Sequence, residues 1–130
     1  MIVDIYDELF DNLKRTITDA TFLQTYNEEA LEYPLVVVSE KSNTDEVGTK
    51  DSSGYNHCLL MFQIDIFSTG DSKVSISKGI RNQVDAIMSG QYGMAREFSD
   101  EVPNFLDRSI YRYTMRYVCK IDENEVIYGR

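Results

Sequence analysis

The sequence predicts an α+β domain, a two-layer sandwich in which helices pack on one face of an antiparallel or mixed β-sheet. Apolar residues recur at helical spacing in residues 2–18 and again in residues 73–89. Two segments, 57–68 and 105–121, place apolar side chains at alternate positions, which is typical of strands with one buried face. Together with an apolar run at Leu35–Val38, these segments give the order helix, strand, strand, helix, strand.

The first predicted helix is amphipathic along its whole length. Its apolar positions are Ile2, Ile5, Tyr6, Leu9, Phe10, Leu13 and Ile17. Acidic residues lie toward its N-terminus, and Lys14 and Arg15 lie toward its C-terminus, which complements the helix dipole. Residues 19–33 fit either a second short helix or an irregular segment that covers the core, and Pro34 ends this region because the residue before proline prefers an extended conformation.

A polar segment follows the first predicted strand. Leu35–Val38 is β-branched and apolar on both faces, so we predict a buried strand there. Residues 41–56 are almost entirely polar and form a longer connection than most compact domains contain. Such loops are either functional or simply the mobile tip of a hairpin, and both interpretations stand.

The second half of the chain has clearer boundaries. A turn at Thr69–Asp71 separates the strand 57–68 from the helix 73–89, and Gly90 is a suitable helix terminator. Residues 91–104 read as a connector. We also predict a short edge strand at residues 125–128.

Length and composition restrict the classes of protein to consider. The 130 residues suit a single domain spanning 1–130, with 42% apolar residues and a formal net charge of −9. We predict no membrane span, because no apolar run approaches the roughly 20 residues a span needs. We also predict no signal peptide, because acidic residues interrupt the apolar pattern of residues 1–15. The net charge disfavours broad attraction to nucleic acid or anionic lipid. Two isolated cysteines, Cys58 and Cys119, predict neither a disulfide framework nor a zinc site, and a reducing cytosolic setting is expected.

The residues do not suggest catalysis. His57 is the one histidine, and a single exposed histidine at the start of a strand is most often a surface residue. No serine lies in a Gly-x-Ser-x-Gly motif, and the spacing of an EF-hand calcium loop is missing. Cys58 and Cys119 fall on the apolar faces of their strands and are expected to be small core residues. We therefore predict a protein that is not an enzyme and that needs no cofactor or metal.

A row of basic residues is the most informative feature of the last long strand. Arg108, Arg112, Arg116 and Lys120 recur every four residues, which on a strand places them on one face about 13 Å apart. Three interpretations compete. The row is a solvated outer face, an interface that receives an acidic surface of a neighbouring copy, or a contact with nucleic-acid phosphate.

The second interpretation draws on the uneven distribution of charge. Residues 1–54 contain twelve acidic and four basic residues, a balance of −8, whereas residues 55–130 contain ten acidic and nine basic residues, a balance of −1. An acidic half and a basic strand on one chain can pair head to tail between copies, and such contacts close into rings when the rotation permits. This complementarity would set register and partner choice.

The sequence also resembles the small tail-completion or tail-terminator proteins of long-tailed bacteriophages and prophages. The stretches that carry the resemblance are Ile5–Leu9, Tyr33–Val38, Phe62–Ser68, Val84–Met88, Pro103–Asn104, Ser109–Arg112 and Met115–Tyr117. They occur in the order and at the size typical of that family, and together they cover most of residues 2–121.

The resemblance implies a structural virion protein, assembled in the host cytoplasm and located at the junction of head and tail. It implies a ring, expected to be a hexamer, that caps the tail tube, ends tube polymerisation and offers a surface to the head. The expected partners are further copies of the chain, the major tail-tube protein and the head-connector or neck protein, with DNA only as passing cargo. In such proteins the long loop contacts the tube or lines the channel, which here concerns Lys41, Asp45, Glu46, Lys50 and Asp51. The alternatives are a head-completion or neck adaptor and a small cytosolic ligand-binding domain or enzyme.

Overall fold

One mixed β-sheet, curled as a half-barrel, forms the framework of the protein in a computed structural model that describes residues 2–26, 32–46, 57–104 and 107–128. The elements are α1 (Tyr6–Thr16), β1 (Thr21–Leu23), β2 (Leu35–Glu46), β3 (His57–Ser68), α2 (Lys73–Asp85), a π-helical segment (Ala86–Gln91), β4 (Ala95–Glu101), β5 (Tyr111–Ile121) and β6 (Ile127–Tyr128). The strand order is β1-β2-β3-β5-β4, and β6 also pairs with β5. The predicted α+β class and the mixed sheet are confirmed.

Both helices contribute to one hydrophobic core on the same face of the sheet. α1 buries Leu9, Phe10 and Leu13, and α2 buries Ile80 and Val84. These side chains belong to one cluster with the alternate residues of the two central strands, namely Cys58, Leu60, Phe62, Ile64, Ile66, Tyr113, Met115, Tyr117, Cys119 and Ile121. We call this side of the sheet the inner face. The placement of both cysteines in the core confirms that prediction, and both are reduced thiols.

The first helix is shorter than the predicted 2–18. It begins at Tyr6, although Val3 and Ile5 are buried before it. The apolar spacing continues through this extended start because the segment packs on the same core, and Asn43 of β2 donates from Nδ2 to the Val3 carbonyl at 3.0 Å. The apolar periodicity predicted the buried positions correctly here but placed the start of the helix too early.

The strand after Pro34 is longer than predicted, and this shortens the polar loop. β2 continues to Glu46, in antiparallel register with β3 from Leu35 opposite Phe67 to Glu46 opposite His57, with an irregularity at Lys41. The interpretation of residues 41–46 as loop was wrong, because pairing with β3 satisfies the backbone of a segment whose side chains are polar. The rest of that predicted loop, 47–56, lies outside the described residues.

The segment predicted as a second helix or irregular cover contains β1 instead. Thr21–Leu23 pairs in parallel with the start of β2, and Phe22 points into the core. The Thr21 amide donates to the Pro34 carbonyl at 2.9 Å, which aligns the two strands. A three-residue strand is too short to leave a period-two signal in the sequence.

The second helix ends differently from the prediction. α2 stops at Asp85, and the chain continues as the π-helical segment before Gly93, at φ +71°, turns it toward β4. Asp85 holds this junction, since its Oδ1 accepts from the Tyr117 hydroxyl at 2.8 Å and pairs with Arg96 Nη1 at 3.1 Å. Burial and the Asp85 hydrogen bond raise the pKa of Tyr117.

The predicted connector 91–104 contains the strand β4, and β5 begins at Tyr111, not at residue 105. Among the described strands, β4 pairs with β5 alone, and it carries a register shift between Arg96 and Phe98. A bulged, mostly exposed edge strand shows no alternation of apolar residues, which explains why the pattern missed it. The predicted edge strand at 125–128 is confirmed as β6, Ile127–Tyr128, opposite the end of β5.

Candidate functional site: the outer face of the sheet

The face of the sheet opposite the two helices carries the basic residues that the sequence singled out. We call it the outer face. Three sets of side chains compose it across the central strands: Leu59, Met61, Gln63, Asp65 and Phe67 of β3; Arg112, Thr114, Arg116, Val118 and Lys120 of β5; and Leu35, Val37 and Ser39 of β2. Phe98 of β4 lies opposite Arg116 and extends this face.

Arg112 is committed to a partner inside the molecule. Its Nε and Nη2 each lie 3.0 Å from Oδ1 of Asp65, whose side chain is only 9% exposed. The Thr114 hydroxyl donates to the same oxygen at 2.6 Å, and Gln63 Nε2 donates to the other carboxylate oxygen at 2.9 Å. The carboxylate therefore has donors on both oxygens, which is the condition for burying a charge at acceptable cost. Arg112 is not part of a solvated row.

Arg116 occupies a different environment four residues further along β5. Its Nε donates to Gln63 Oε1 at 2.9 Å, and its guanidinium carbon lies 5.9 Å from the centre of the Phe98 ring. The residue is exposed, and it forms no ion pair with any part of the chain that the structure describes. The Gln63 contact orients the guanidinium without neutralising it, so its charge is available to a partner.

The remaining two members of the row differ from each other. Lys120 lies on β5 between Leu59 of β3 and Tyr128 of β6, on the outer face as predicted. Arg108 precedes β5 in an exposed turn fixed by hydrogen bonds from Ser109 to Asp107, so its placement on the strand was wrong. The same hydrogen bonds lower the pKa of Asp107. The structure thus places Arg116, which is exposed, and Lys120, which is half-buried, about 13 Å apart on the same strand.

Apolar side chains surround these two cations. Leu59 is 39% exposed, Phe98 40% and Tyr128 43%, although each is large and apolar. Met61 and Val118 lie opposite each other between them and fill the floor. We call this set the distal patch: Leu59, Met61, Phe98, Arg116, Val118, Lys120 and Tyr128. The sequence pattern did not indicate Phe98 or Tyr128 as part of this patch. Phe98 lies in the segment predicted as a connector, and Tyr128 lies in the segment predicted as a short edge strand.

The other end of the outer face is covered by the chain itself. Leu35, Val37 and Phe67 form a small buried cluster against Leu23, Tyr33 and Ile110. The Tyr26 ring lies 5.1 Å from that of Phe67. A cavity of about 240 Å³ opens beside this cluster, next to Asn104 and Arg112. This covered end contrasts with the distal patch, where the apolar side chains meet solvent.

A second concave feature lies at the side of the sheet near the start of β5. The cleft has a volume of about 680 Å³, and its charged lining residues are Lys73, Asp100, Glu101, Arg108 and Arg112. Tyr111 borders it, and burial together with nearby Glu101 raises the pKa of that tyrosine. Lys73 donates from Nζ to the Ser109 carbonyl at 3.3 Å, so part of this charge is already engaged. Because both acidic and basic side chains line the cleft, it can accommodate a small polar ligand of either positive or negative charge.

Four acidic residues of the first half of the chain lie on α1 and on the short segment before it, which pack on the inner face of the sheet. Asp4, Asp7, Glu8 and Asp11 are exposed and recur at steps of three and four residues along α1 and its start. This spacing aligns them on one side of the helix, while Leu9 and Leu13 face the core. We call these four residues the acidic stripe.

The residues predicted to contact a tube or channel are divided by the structure. Lys41 and Asp45 are exposed on β2, Glu46 is the last residue of that strand, and Lys50 and Asp51 lie outside the described residues. His57 is half-buried, not exposed, with its ring 5.1 Å from Tyr128. The described ranges contain no group of three or more His, Cys, Asp or Glu side chains placed to hold a metal ion. Among the helices described, none is long and apolar enough to cross a membrane.

The function of this chain has to be inferred from its own residues. The chain matches no protein-family model, and the search of curated proteins finds no match.

Proposed function

We propose that this chain is a structural virion protein that forms a ring on the end of a bacteriophage tail tube. The ring ends tube polymerisation and provides the surface to which the head is joined. Its partners are further copies of the chain, expected to number six, the major tail-tube protein and the head-connector or neck protein. DNA passes through the ring as cargo, and the protein acts in the virion without catalysis or a cofactor.

One observation carries this proposal: oppositely charged surfaces lie on opposite sides of the sheet. The acidic stripe belongs to a helix packed on the inner face, and the distal patch with Arg116 and Lys120 belongs to the outer face. A molecule with complementary front and back surfaces supports head-to-tail contacts, which generate rings when they close. The resemblance to tail-terminator proteins adds the location of that ring.

The long β2–β3 hairpin provides a second line of support. Each strand has twelve residues, and their far ends, Glu46 and His57, belong to the part of the sheet that carries the distal patch. A two-stranded arm of this kind is suited to reach a neighbouring subunit or the tube. The two-layer sandwich expected for the family, with both helices on one face of the sheet, also belongs to this proposal.

Electron microscopy of phage particles lacking this chain tests the proposal. We expect tails of uncontrolled length, or tails of normal length that fail to join heads, and wild-type protein supplied from a plasmid should restore normal particles. Normal tails that join heads in the absence of the chain would contradict the proposed function. Tails of normal length that fail only in joining would favour the neck-adaptor alternative.

A second candidate function, binding of a small polar ligand, rests on the 680 Å³ cleft beside Lys73 and Arg108. Such sites place a few polar groups around a concave surface. Titration with small anions and cations, followed by changes in amide chemical shifts, tests it. Saturable shifts confined to the cleft would support this function, and shifts spread over the surface or none at all would exclude it.

A further inference from the structure

We infer that the segment before α1 of one copy docks through Ile2 and Asp4 into the cavity and the cleft that adjoin Arg112 of a second copy. This inference rests on the proposed self-assembly and deepens it by naming a contact that is separate from the distal patch. The 240 Å³ cavity beside Phe67 receives the Ile2 side chain, and Arg108 in the adjoining cleft receives the Asp4 carboxylate.

The segment before α1 presents two side chains on its solvent side. Ile2 and Asp4 are exposed, whereas Val3 and Ile5 are buried in the core. This alternation is typical of extended chain, in which side chains two residues apart lie on the same side about 7 Å from each other. Ile2 is 82% exposed, more than any other large apolar residue in the described ranges. The segment therefore offers an apolar group and a carboxylate side by side.

The Asp4 side chain is held in place without losing its charge. Its Oδ1 accepts from the Tyr6 amide at 3.0 Å, at the start of α1. A carboxylate has a second oxygen that can accept from a cation at the same time. The hydrogen bond to Tyr6 thus orients the carboxylate toward a partner.

The 240 Å³ cavity suits an apolar side chain. Its walls are Tyr26, Val37 and Phe67, and its polar end is formed by Asp65 and Arg112. Those two charges are paired with each other at 3.0 Å, so the polar end needs no charged ligand. The volume is smaller than the roughly 300–1,000 Å³ of pockets for small molecules. A single aliphatic side chain of a partner is a better match for it.

The adjoining cleft places a cation next to this cavity. Arg112 borders both the cavity and the cleft, and Lys73 and Arg108 belong to the cleft. Arg108 is exposed, and no hydrogen bond or ion pair joins it to any residue that the structure describes. Lys73 donates to the carbonyl of Ser109, a neutral group that leaves its charge uncompensated. Both cations can attract a carboxylate of a partner.

The two carboxylates of the cleft already have partners of their own. Asp100 Oδ1 accepts from the Glu101 amide at 2.8 Å, and the Glu101 side chain is hydrogen-bonded to Tyr111. Within the described ranges, neither carboxylate forms an ion pair with Arg108. Arg108 is therefore the group in the cleft that Asp4 of a second copy would engage.

The contact has to form between two copies. The Val3 carbonyl accepts from Asn43 Nδ2 at 3.0 Å, so the segment before α1 lies near the far end of β2 on the inner face. Val37, in the wall of the cavity, lies on the outer face six residues earlier on β2, which is about 20 Å along a strand. One copy therefore cannot fill its own cavity. A contact between two different surfaces is heterologous and continues from copy to copy until it closes, as a ring requires.

Shortening Ile2 tests the apolar half of the contact. Sedimentation velocity of the full chain should show self-association weakened by about tenfold or more in Ile2→Ser, equivalent to at least ~1.4 kcal/mol. Ile76→Ser is the matched control, because it makes the same change at a residue 39% exposed on α2, and it should associate like wild type. Urea unfolding of both variants separates loss of contact from loss of fold.

A double-mutant cycle tests the charged half. Asp4→Asn keeps an oxygen for the Tyr6 amide and removes the charge, and Arg108→Gln removes the cation. Each change should weaken association by about threefold, and the double variant should be no weaker than either single variant, because all three lose the same ion pair. Arg15→Gln, an exposed change on α1, is the control and should associate like wild type.

Three results would overturn the inference. They are wild-type protein that stays monomeric at every attainable concentration, Ile2→Ser protein that associates like wild type, and effects of Asp4→Asn and Arg108→Gln that multiply in the double variant. The second of these would leave the cleft to a small ligand. Normal tail termination by Ile2→Ser protein that no longer associates would refute this contact alone, whereas intact association with uncontrolled tail length would refute the proposed function alone.

Discussion

Two adjacent leucines on β3 summarise the difference between the faces of this sheet. Leu60 points to the inner face and is 1% exposed, whereas Leu59 points to the outer face and is 39% exposed. The inner face is completed by the helices of the same chain. Among the described residues, the outer face is covered at one end, where Tyr26 and Tyr33 lie over Phe67 and its neighbours. Burial within the chain therefore accounts for the first leucine, whereas the second is in contact with solvent.

The polar residues of the two faces differ in the same way. On the inner side, the Tyr6 hydroxyl donates to the Val38 carbonyl, and the Ser68 and Ser77 hydroxyls are hydrogen-bonded to each other. On the outer side, Asp65 gathers Arg112, Thr114 and Gln63 into one network without a helix above it. The outer face thus carries its own structural centre, and the distal patch lies beyond it, toward the end of the sheet at Glu46 and His57.

The leucine pair gives the largest expected effect. Leu60→Ala should lower the free energy of unfolding by about 2–5 kcal/mol, because it leaves a cavity in a closed core. Leu59→Ala should lower it by less than about 1 kcal/mol, because that side chain is largely hydrated already. Urea unfolding monitored by circular dichroism measures both, and equal losses would contradict the difference drawn between the faces.

The ion pair on the outer face gives the next effect. Arg112→Met should lower the free energy of unfolding by about 2 kcal/mol, because it leaves Asp65 as an unpaired buried charge. We expect less than the roughly 3–5 kcal/mol lost when a fully buried pair is broken, because the arginine is partly exposed. Adding Asp65→Asn should recover part of that loss. Arg116→Met, which removes a hydrogen bond to neutral Gln63, is the matched control and should cost about 1 kcal/mol or less. Thermal unfolding of the four proteins checks this, and a larger loss for Arg116→Met would reverse the assigned roles.

The ion pair with Asp65 also makes Arg112→Glu unsuitable as a test of self-association. That change would place a second carboxylate against Asp65, so we expect it to destabilise the fold, whereas Arg116→Glu should not. Of these two arginines, Arg116 is the one to change in such a test.

The inner face should also set the response to alkaline pH. Burial raises the pKa of Cys119 from 9.0 to about 12 and, with Asp7 and Glu40, that of Tyr6 from 10.0 to about 12. The unfolded chain therefore ionises first, so stability is complete below about pH 9 and declines as the pH rises toward 12. Urea midpoints measured from pH 8 to 11 should fall, and Tyr6→Phe should flatten part of that fall. A constant midpoint over this range would contradict the burial of these groups.

The smallest effect concerns a surface outside both faces. Gly79 lies inside α2 on its solvent side, and a Cβ built there meets no atom within 4 Å. Gly79→Ala should stabilise the protein by about 0.5–1 kcal/mol through helix propensity. Gly93→Ala is the contrasting control, because φ +71° strains any side chain there and the change should destabilise. Thermal unfolding distinguishes the two signs, and destabilisation by Gly79→Ala would show that this side of α2 is in contact.

The sequence predicted the parts of the fold whose pattern is local and missed those that depend on pairing. Alternation identified β3 and β5 because each has one face in the core, and helical spacing identified α1 and α2. β1 and β4 escaped because a three-residue strand and a bulged edge strand carry no period. The end of β2 escaped because its side chains are polar and its backbone is satisfied by β3.

The candidate site shows the same contrast between local patterns and features that depend on strand pairing. Alternation placed Arg112, Arg116 and Lys120 on one face, as the structure has them. It could not distinguish Arg112 from Arg116, because the partner that neutralises Arg112 is Asp65, 47 residues away in the chain, and only strand register brings them together. Alternation within one strand shows which face of the sheet a side chain lies on. Whether a charged side chain there has an ion-pair partner depends on the residues of the neighbouring strand.

Growth of tail tubes in the presence of this protein tests the central claim most directly. Purified tail-tube protein of the same phage is polymerised with increasing amounts of the chain, and tube lengths are measured by electron microscopy. We predict that tubes become shorter as the protein is added and carry a ring at one end, and that the Arg116→Glu and Lys120→Glu variant loses this effect. Tubes of unchanged length with no density at either end would contradict the account.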